Sequence, residues 1–177
     1  MKRVIFFTII TMFIASSCST MSITADYDTS IDFSQYKTFS FYKKGIDKLE
    51  ISDIDKKRII KAIEADLKAK GLTMDSNSDL IVNIFANTQR RIQVYNNYGY
   101  GYYWRPYYYG AHYGTYVSQY DEGTLFIDFV DSNSKELVWQ GVGVKVLEYY
   151  DAPIKDEKVK EFVGLILKQY PPGSDQK

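Results

Sequence analysis

Gly123-Thr124-Leu125-Phe126-Ile127-Asp128-Phe129-Val130 runs into Asp131-Ser132-Asn133-Ser134-Lys135, and then into Glu136-Leu137-Val138-Trp139-Gln140-Gly141-Val142-Gly143-Val144-Lys145-Val146-Leu147. Two β-prone runs joined by a short Asp/Ser/Asn cluster read as an antiparallel hairpin, because those side chains bond their own backbone through a tight reversal. A hairpin with an apolar face is not stable alone and needs a second layer against that face. The layer follows directly: Val159, Phe162, Val163, Ile166, Leu167 and Tyr170 step by 3, 1, 3, 1 and 3, a helix stripe that Pro171-Pro172 closes.

Working back from this hairpin, Leu80, Val82, Ile84 and Ala86 alternate along 79–87, a strand with one buried face. Before it, Ser52-Asp53-Ile54-Asp55 supplies an N-cap with acids in the first turn. Ile59, Ile60, Ile63 and Leu67 continue at helical spacing, and Gly71 is a C′ stop, so 53–70 reads as an amphipathic helix. Two short strands, 22–28 and 38–42, come first, separated by the turn-rich Asp28-Thr29-Ser30 and Asp32-Phe33-Ser34. The order β-β-α-β-β-β-α predicts an α+β fold: a largely antiparallel sheet of about five strands with two helices packed on one face.

The first residues are a targeting signal rather than part of this fold. Lys2 and Arg3 precede an apolar run of 12 residues over 4–15, too short for a spanning helix of roughly 20. Ala15-Ser16-Ser17-Cys18 then places the chain's only cysteine just after a cut between 17 and 18. This resembles the lipobox of bacterial lipoproteins, with Ala15 where that motif carries Leu; the resemblance implies that Cys18 is lipidated and becomes the mature N-terminus. The organisation expected is a signal peptide over 1–17, lipidated Cys18 and a short tether over 18–24, one α+β domain over 25–172 and a tail over 173–177. Removing 1–17 takes two of the 22 basic residues and none of the 22 acidic ones, leaving a formal charge of −2. No acidic run follows Cys18, so a membrane-anchored position facing the periplasm, on the outer membrane, is the expectation.

Ala25-Asp26-Tyr27-Asp28 together with Ile31-Asp32-Phe33-Ser34-Gln35-Tyr36-Lys37-Thr38-Phe39 resembles the opening of the DUF4136 lipoprotein family. Gly123 to Asp131 and Leu137-Val138-Trp139-Gln140-Gly141 are similar to its second signature, and Tyr170-Pro171-Pro172 to its closing helix. The resemblance implies a small envelope lipoprotein and brings no catalytic residues with it.

Composition limits the function classes. An apolar fraction of 45% supports a real core, and zero formal charge removes the electrostatic basis of nucleic-acid binding. The outlier is tyrosine: 11 of the 17 lie over 95–120, with Trp104, four glycines and the only histidine. Ile92, Val94, Tyr98, Tyr100, Tyr102 and Trp104 share one parity, so a strand continuing past the domain edge would carry an aromatic stripe. We expect the flanking strands to extend into an arm or flap with Trp104-Arg105-Pro106 near its tip. Tyr98, Tyr100, Tyr102, Trp104, Arg105, Tyr107 and Tyr109 form the candidate binding surface. Three readings stay open: a platform for envelope glycans, a surface for a protein or lipid headgroup neighbour, or a Gly/Tyr-biased insertion that covers apolar surface.

Catalytic and metal chemistry find little support, and no cofactor or metal is expected. His112 lies in the same biased segment without a nucleophile motif. Asp75-Ser76-Asn77-Ser78-Asp79 starts like a calcium loop, but Leu80 and Ala86 occupy the positions that need Gly and Glu. It is better read as a polar turn entering a strand. Asp26 and Asp28 flank Tyr27 with no third ligand. The overall reading is a non-catalytic binding or scaffolding module. The alternative, a hydrolase acting on envelope glycans, requires two of Asp121, Glu122 and Asp128 in one cleft, about 5–9.5 Å apart.

Overall fold

The computed structural model describes the backbone of residues 21–96 and 115–173, and the side chains of 21–93 and 118–173. Six strands form one sheet: β1 (Met21–Tyr27), β2 (Thr38–Phe41), β3 (Thr73–Met74), β4 (Leu80–Asn96), β5 (Thr115–Asp131) and β6 (Leu137–Val146). Three helices accompany them: α1 (Lys43–Asp47), α2 (Asp53–Ala69) and α3 (Ala152–Leu167). The strand order is β1-β6-β5-β4-β2-β3.

The predicted hairpin is present as β5 and β6, adjacent strands inside the sheet. Phe129 pairs with Trp139, Ile127 with Gly141 and Leu125 with Gly143 across β5 and β6. At the turn, Asp131 Oδ1 accepts from the amides of Asn133 (2.7 Å) and Ser134 (2.9 Å), and Asp131 Oδ2 accepts from the Tyr36 hydroxyl at 3.0 Å. The backbone bond from Ser134 leads the interactions that hold the Asp131 carboxyl below its ordinary range. Burial, aided by that carboxylate, pushes the Tyr36 phenol up to about 12.

The sheet is largely antiparallel, as expected, but it is mixed and has six strands where about five were expected. β2 pairs in parallel with both β3 and β4, while β1–β6, β6–β5 and β5–β4 are antiparallel. After β2 the chain crosses over through α1 and α2 and returns beside its starting strand, which makes the new pairing parallel. The added strand, β3, is only two residues long, too short to leave a periodic signal. The expected polar turn is present at 75–79. Asp79 Oδ2 accepts from the amides of Lys37 and Thr38, both at 2.9 Å, and its own amide donates to Thr38 Oγ1 at 2.8 Å.

The apolar parities converge as read. Leu80, Val82, Ile84, Ile127 and Phe129 are buried together with Ile63 and Leu67 of α2 and Val163, Ile166 and Leu167 of α3. α3 lies unusually close to β6 because Gly141 and Gly143 present no side chain to it. A Cβ at Gly141 would stand 2.5 Å from Ile166 Cγ2 and 2.4 Å from Trp139 Cη2. Phe129, Trp139 and Tyr170 close the far end in edge and tilted contacts, with centroids 4.7 to 5.5 Å apart. α3 ends at Leu167, and Tyr170 returns to the core beyond it. On the opposite sheet face Asp128 is buried, and its Oδ1 accepts from Gln140 Nε2 at 2.8 Å. Burial raises the Asp128 pKa, and the amide bond opposes that shift.

Candidate functional site

β4 and β5 are 17 residues each and stay in register from the pair Leu80–Asp131 to the pair Asn96–Thr115. β6 accompanies β5 only as far as Val146 opposite Glu122, and β2 leaves β4 at Val82. Residues 90–96 and 115–121 therefore form a two-stranded ribbon with no third strand among the described residues, roughly 23 Å long at ~3.3 Å per residue. The strands around the tyrosine segment do extend past the sheet. The candidate residues Tyr98, Tyr100, Tyr102, Trp104, Arg105, Tyr107 and Tyr109 lie outside the described residues, as do Cys18 and His112.

At the base of the ribbon the charges pair across strands. Arg90 Nε meets Asp121 Oδ1 at 3.1 Å, and Arg91 Nη2 meets Glu122 Oε1 at 3.1 Å. Neighbouring residues of a strand point to opposite faces, so these two ion pairs flank the ribbon on its two sides. Glu122 and Asp128 share a face but lie six residues apart, roughly 20 Å. Asp121 lies on the opposite face from the other two, so no two of the three acids are gathered in one cleft as the glycosidase reading requires. Asp26 donates no geometry to a metal site: its Oδ1 accepts from the Tyr27 amide, while Asp28 Oδ1 accepts from the Ser30 amide and hydroxyl. Among the described residues no group of three or more His, Cys, Asp or Glu side chains is placed to hold a metal ion.

A cleft that sequence reasoning did not anticipate opens beside the ribbon, between the sheet and the first turns of α2 and α3. It encloses about 270 Å³. Ile51, Ile59, Leu125, Leu147, Val159 and Phe162 supply apolar wall, and Lys145, Lys155, Lys158, Asp55 and Glu148 supply its charged groups. Ser52 caps α2 by accepting from the Asp55 amide at 3.1 Å, which fixes Asp55 at the cleft. Asp55 then holds the two helix starts together, with Lys155 Nζ at 2.8 Å and Arg58 Nη1 at 2.9 Å, and Arg58 also binds Asp156. Burial raises the Asp55 pKa, but its bonds to Lys155, Ser52 and Arg58 outweigh that and leave the carboxyl lowered. The available signal was Asp151-Ala152-Pro153: a capping residue with proline in the first turn marks α3 as starting at 152, seven residues before the stripe.

The entry of the chain falls at the same end. Met21 is the ladder partner of Lys145, Lys145 of Gly123, and Gly123 of Thr88. β1 runs away from this row, so its N-terminal end and the departing ribbon occupy one end of the sheet.

A two-layer α+β domain with a projecting central hairpin is the class that these features define. The family model described as "Domain of unknown function (DUF4136)" matches residues 23–172, and the chain belongs to that family. No curated protein matches it. Among solved structures it is similar to a PDZ domain protein from Parabacteroides distasonis, with a TM-score of 0.52 and 20% identity, over 87% of this chain and 36% of that one. The chain thus spans about a third of that protein. A PelC dodecamer from Paraburkholderia phytofirmans has a TM-score of 0.50 and 8% identity, over 83% of this chain and 94% of that one. At these identities the likeness is one of fold. No helix among the described residues is long and apolar enough to cross a membrane.

Proposed function

We propose that the protein is a lipid-anchored, non-catalytic module of the cell envelope, held through Cys18 and facing the periplasm, that binds or scaffolds an envelope partner through its arm. The observation that carries this reading is the ribbon. A two-stranded ribbon without a third strand is marginal on its own, yet here it extends the two central strands of the sheet and carries the most aromatic stretch of the sequence at its end. Tyr and Trp offer large contact area at low entropy cost, which suits a protein or glycan surface. The separation of Asp121, Glu122 and Asp128 supports binding over glycoside hydrolysis.

A photoreactive residue in place of Tyr102, in the full-length chain in cells, tests it. A defined protein or glycan adduct at 102 that disappears when Tyr98, Tyr100 and Trp104 are replaced together by Ser supports the reading. An adduct pattern unchanged by those substitutions, or no protein or glycan adduct at all, overturns it and leaves the segment as a tolerated insertion. Cys18→Ala tests the anchor, because an unchanged membrane fraction would refute lipid attachment at this residue.

A further inference from the structure

We infer that the cleft between the sheet and the starts of α2 and α3 takes one acyl chain of an anionic phospholipid from the membrane that carries the protein. The inference rests on the anchored reading above and adds a binding site to it. The walls come first: a sugar or an extended peptide would press its polar groups against Ile51, Leu125 and Phe162, whereas a hydrocarbon chain displaces water there without losing hydrogen bonds. The mouth comes second. Lys145, Lys155 and Lys158 line the cleft against the carboxylates of Asp55 and Glu148, an excess of one positive charge. Lys155 is committed to Asp55 and Lys158 to Glu161, while Lys145 Nζ stands 5.5 Å from the Tyr150 ring centroid. Of the three lining lysines, Lys145 is the one set beside a ring, and it can turn from that ring toward a phosphate.

Position is the third argument. Met21 and Lys145 are ladder partners, and Lys145 and Gly123 both line the cleft. Residue 18 is three residues upstream of Met21 and cannot be further from it than about 11 Å. An anchor at Cys18 hence holds the mouth of the cleft within a short reach of the headgroups. The base of the ribbon, at Thr88 and Gly123, borders the cleft at the same end.

The test uses the full-length chain in its own membrane, with benzoylphenylalanine replacing Leu147 in the cleft wall, Tyr149 on the exposed surface at the same end, or Leu137 at the opposite end. Mass spectrometry of the labelled peptides reads the adducts. A phospholipid adduct at position 147 at least five-fold above that at 149, and at background level at 137, is expected. Ala86→Trp fills the cleft and should lower the adduct at 147 at least five-fold without changing that at 149; Thr88→Trp at the rim serves if Ala86→Trp fails to melt cooperatively. Lys145→Glu should cut the anionic share of the lipid adducts at least three-fold. Equal adducts at 147 and 149, insensitivity to the filling variants, or an adduct made of the chain's own Cys18 lipid or of another protein overturns the proposal. Fractionation of the same cells separates the two readings. A chain that stays in the membrane but lacks the 147 adduct refutes the cleft alone, and a chain that never reaches the membrane refutes the anchor.

Discussion

Asp79 and Thr38 hold one another at the junction of β2 and β4: the aspartate Oδ2 accepts the Thr38 amide at 2.9 Å, and the Asp79 amide donates to Thr38 Oγ1 at 2.8 Å. The same carboxylate also takes the Lys37 amide. One side chain thereby starts two parallel-paired strands in register.

Asp79→Ala leaves two backbone donors without their acceptor and is expected to cost ~2 kcal/mol, which lowers the melting temperature by roughly 4–8 °C in a domain of this size. These amide bonds depress the folded-state pKa of Asp79. Their contribution is present above the unfolded value of 3.8 and is lost as pH falls through the depressed one. Melting scans between pH 7 and pH 2 should show a shallower acid limb in the variant.

Asp128 works with the opposite sign. Its folded pKa is raised by burial, so the protein is more stable when this carboxyl is protonated, and stability is lost as pH climbs from 3.8 through the raised value. Asp128→Asn keeps an acceptor for Gln140 and removes the charge. The variant should melt higher than the parent at pH 7 and equally at pH 3; a lower melting point at pH 7 would refute this account of the open sheet face.

The two strands of the core hairpin, their turn and the helix stripe of α3 were legible because each carries its own periodicity and punctuation. Leu80, Val82 and Ile84 announced a buried face, and the structure buries them. What escaped was whatever depends on the crossover. Two residues, Thr73 and Met74, cannot show a period, and nothing local in Thr38 to Phe41 states that its neighbours run parallel to it. α1 was missed because it is a five-residue helix begun by Tyr42 without a side-chain cap bond. The cleft was hidden for a related reason: its walls are contributed by five separate segments, and Leu147 reads as the end of a strand until Gly123 is placed beside it. That the strands run on past the sheet, in contrast, was expected from the parity of Ile92 and Val94; the expected tip at Trp104-Arg105-Pro106 lies outside the described residues.

Gly141→Ala tests the close approach of α3 to β6. A methyl group there meets a tryptophan ring and the γ2-methyl of Ile166, neither of which can retreat within a packed core. The expected cost is about 1–3 kcal/mol, read by chemical denaturation. Gly45→Ala is the contrast. Its Cβ would meet the buried Asn83 amide oxygen at 2.2 Å and the ring of the exposed Tyr42 at 2.9 Å, side chains outside the packed core, while alanine favours the helix by roughly 0.5–1 kcal/mol. It should therefore be the milder of the two.

Hydrogen exchange separates the ribbon from the sheet that bears it. Amides over 81–86 sit between two strands or above a buried face, whereas those over 90–96 have one ladder partner and exposed ion pairs worth about 0–1 kcal/mol each. Exchange over 90–96 should be at least a hundred-fold faster. Equal protection in the isolated chain would mean that a further layer covers the ribbon.

A beam that runs without a joint from its load to its foundation transmits torque. β4 and β5 each pass from the ribbon into the core as one unbroken strand, paired with one another without a shift from Asn96–Thr115 to Leu80–Asp131, and a register shift between β5 and β6, where Val138 is the extra residue, comes only beyond Phe129–Trp139 toward the turn. There is no articulation at the level of Thr88 and Gly123 to absorb a movement. Whatever grips the arm steers the whole body of the domain, through the ladder that begins at Glu122 and Val146.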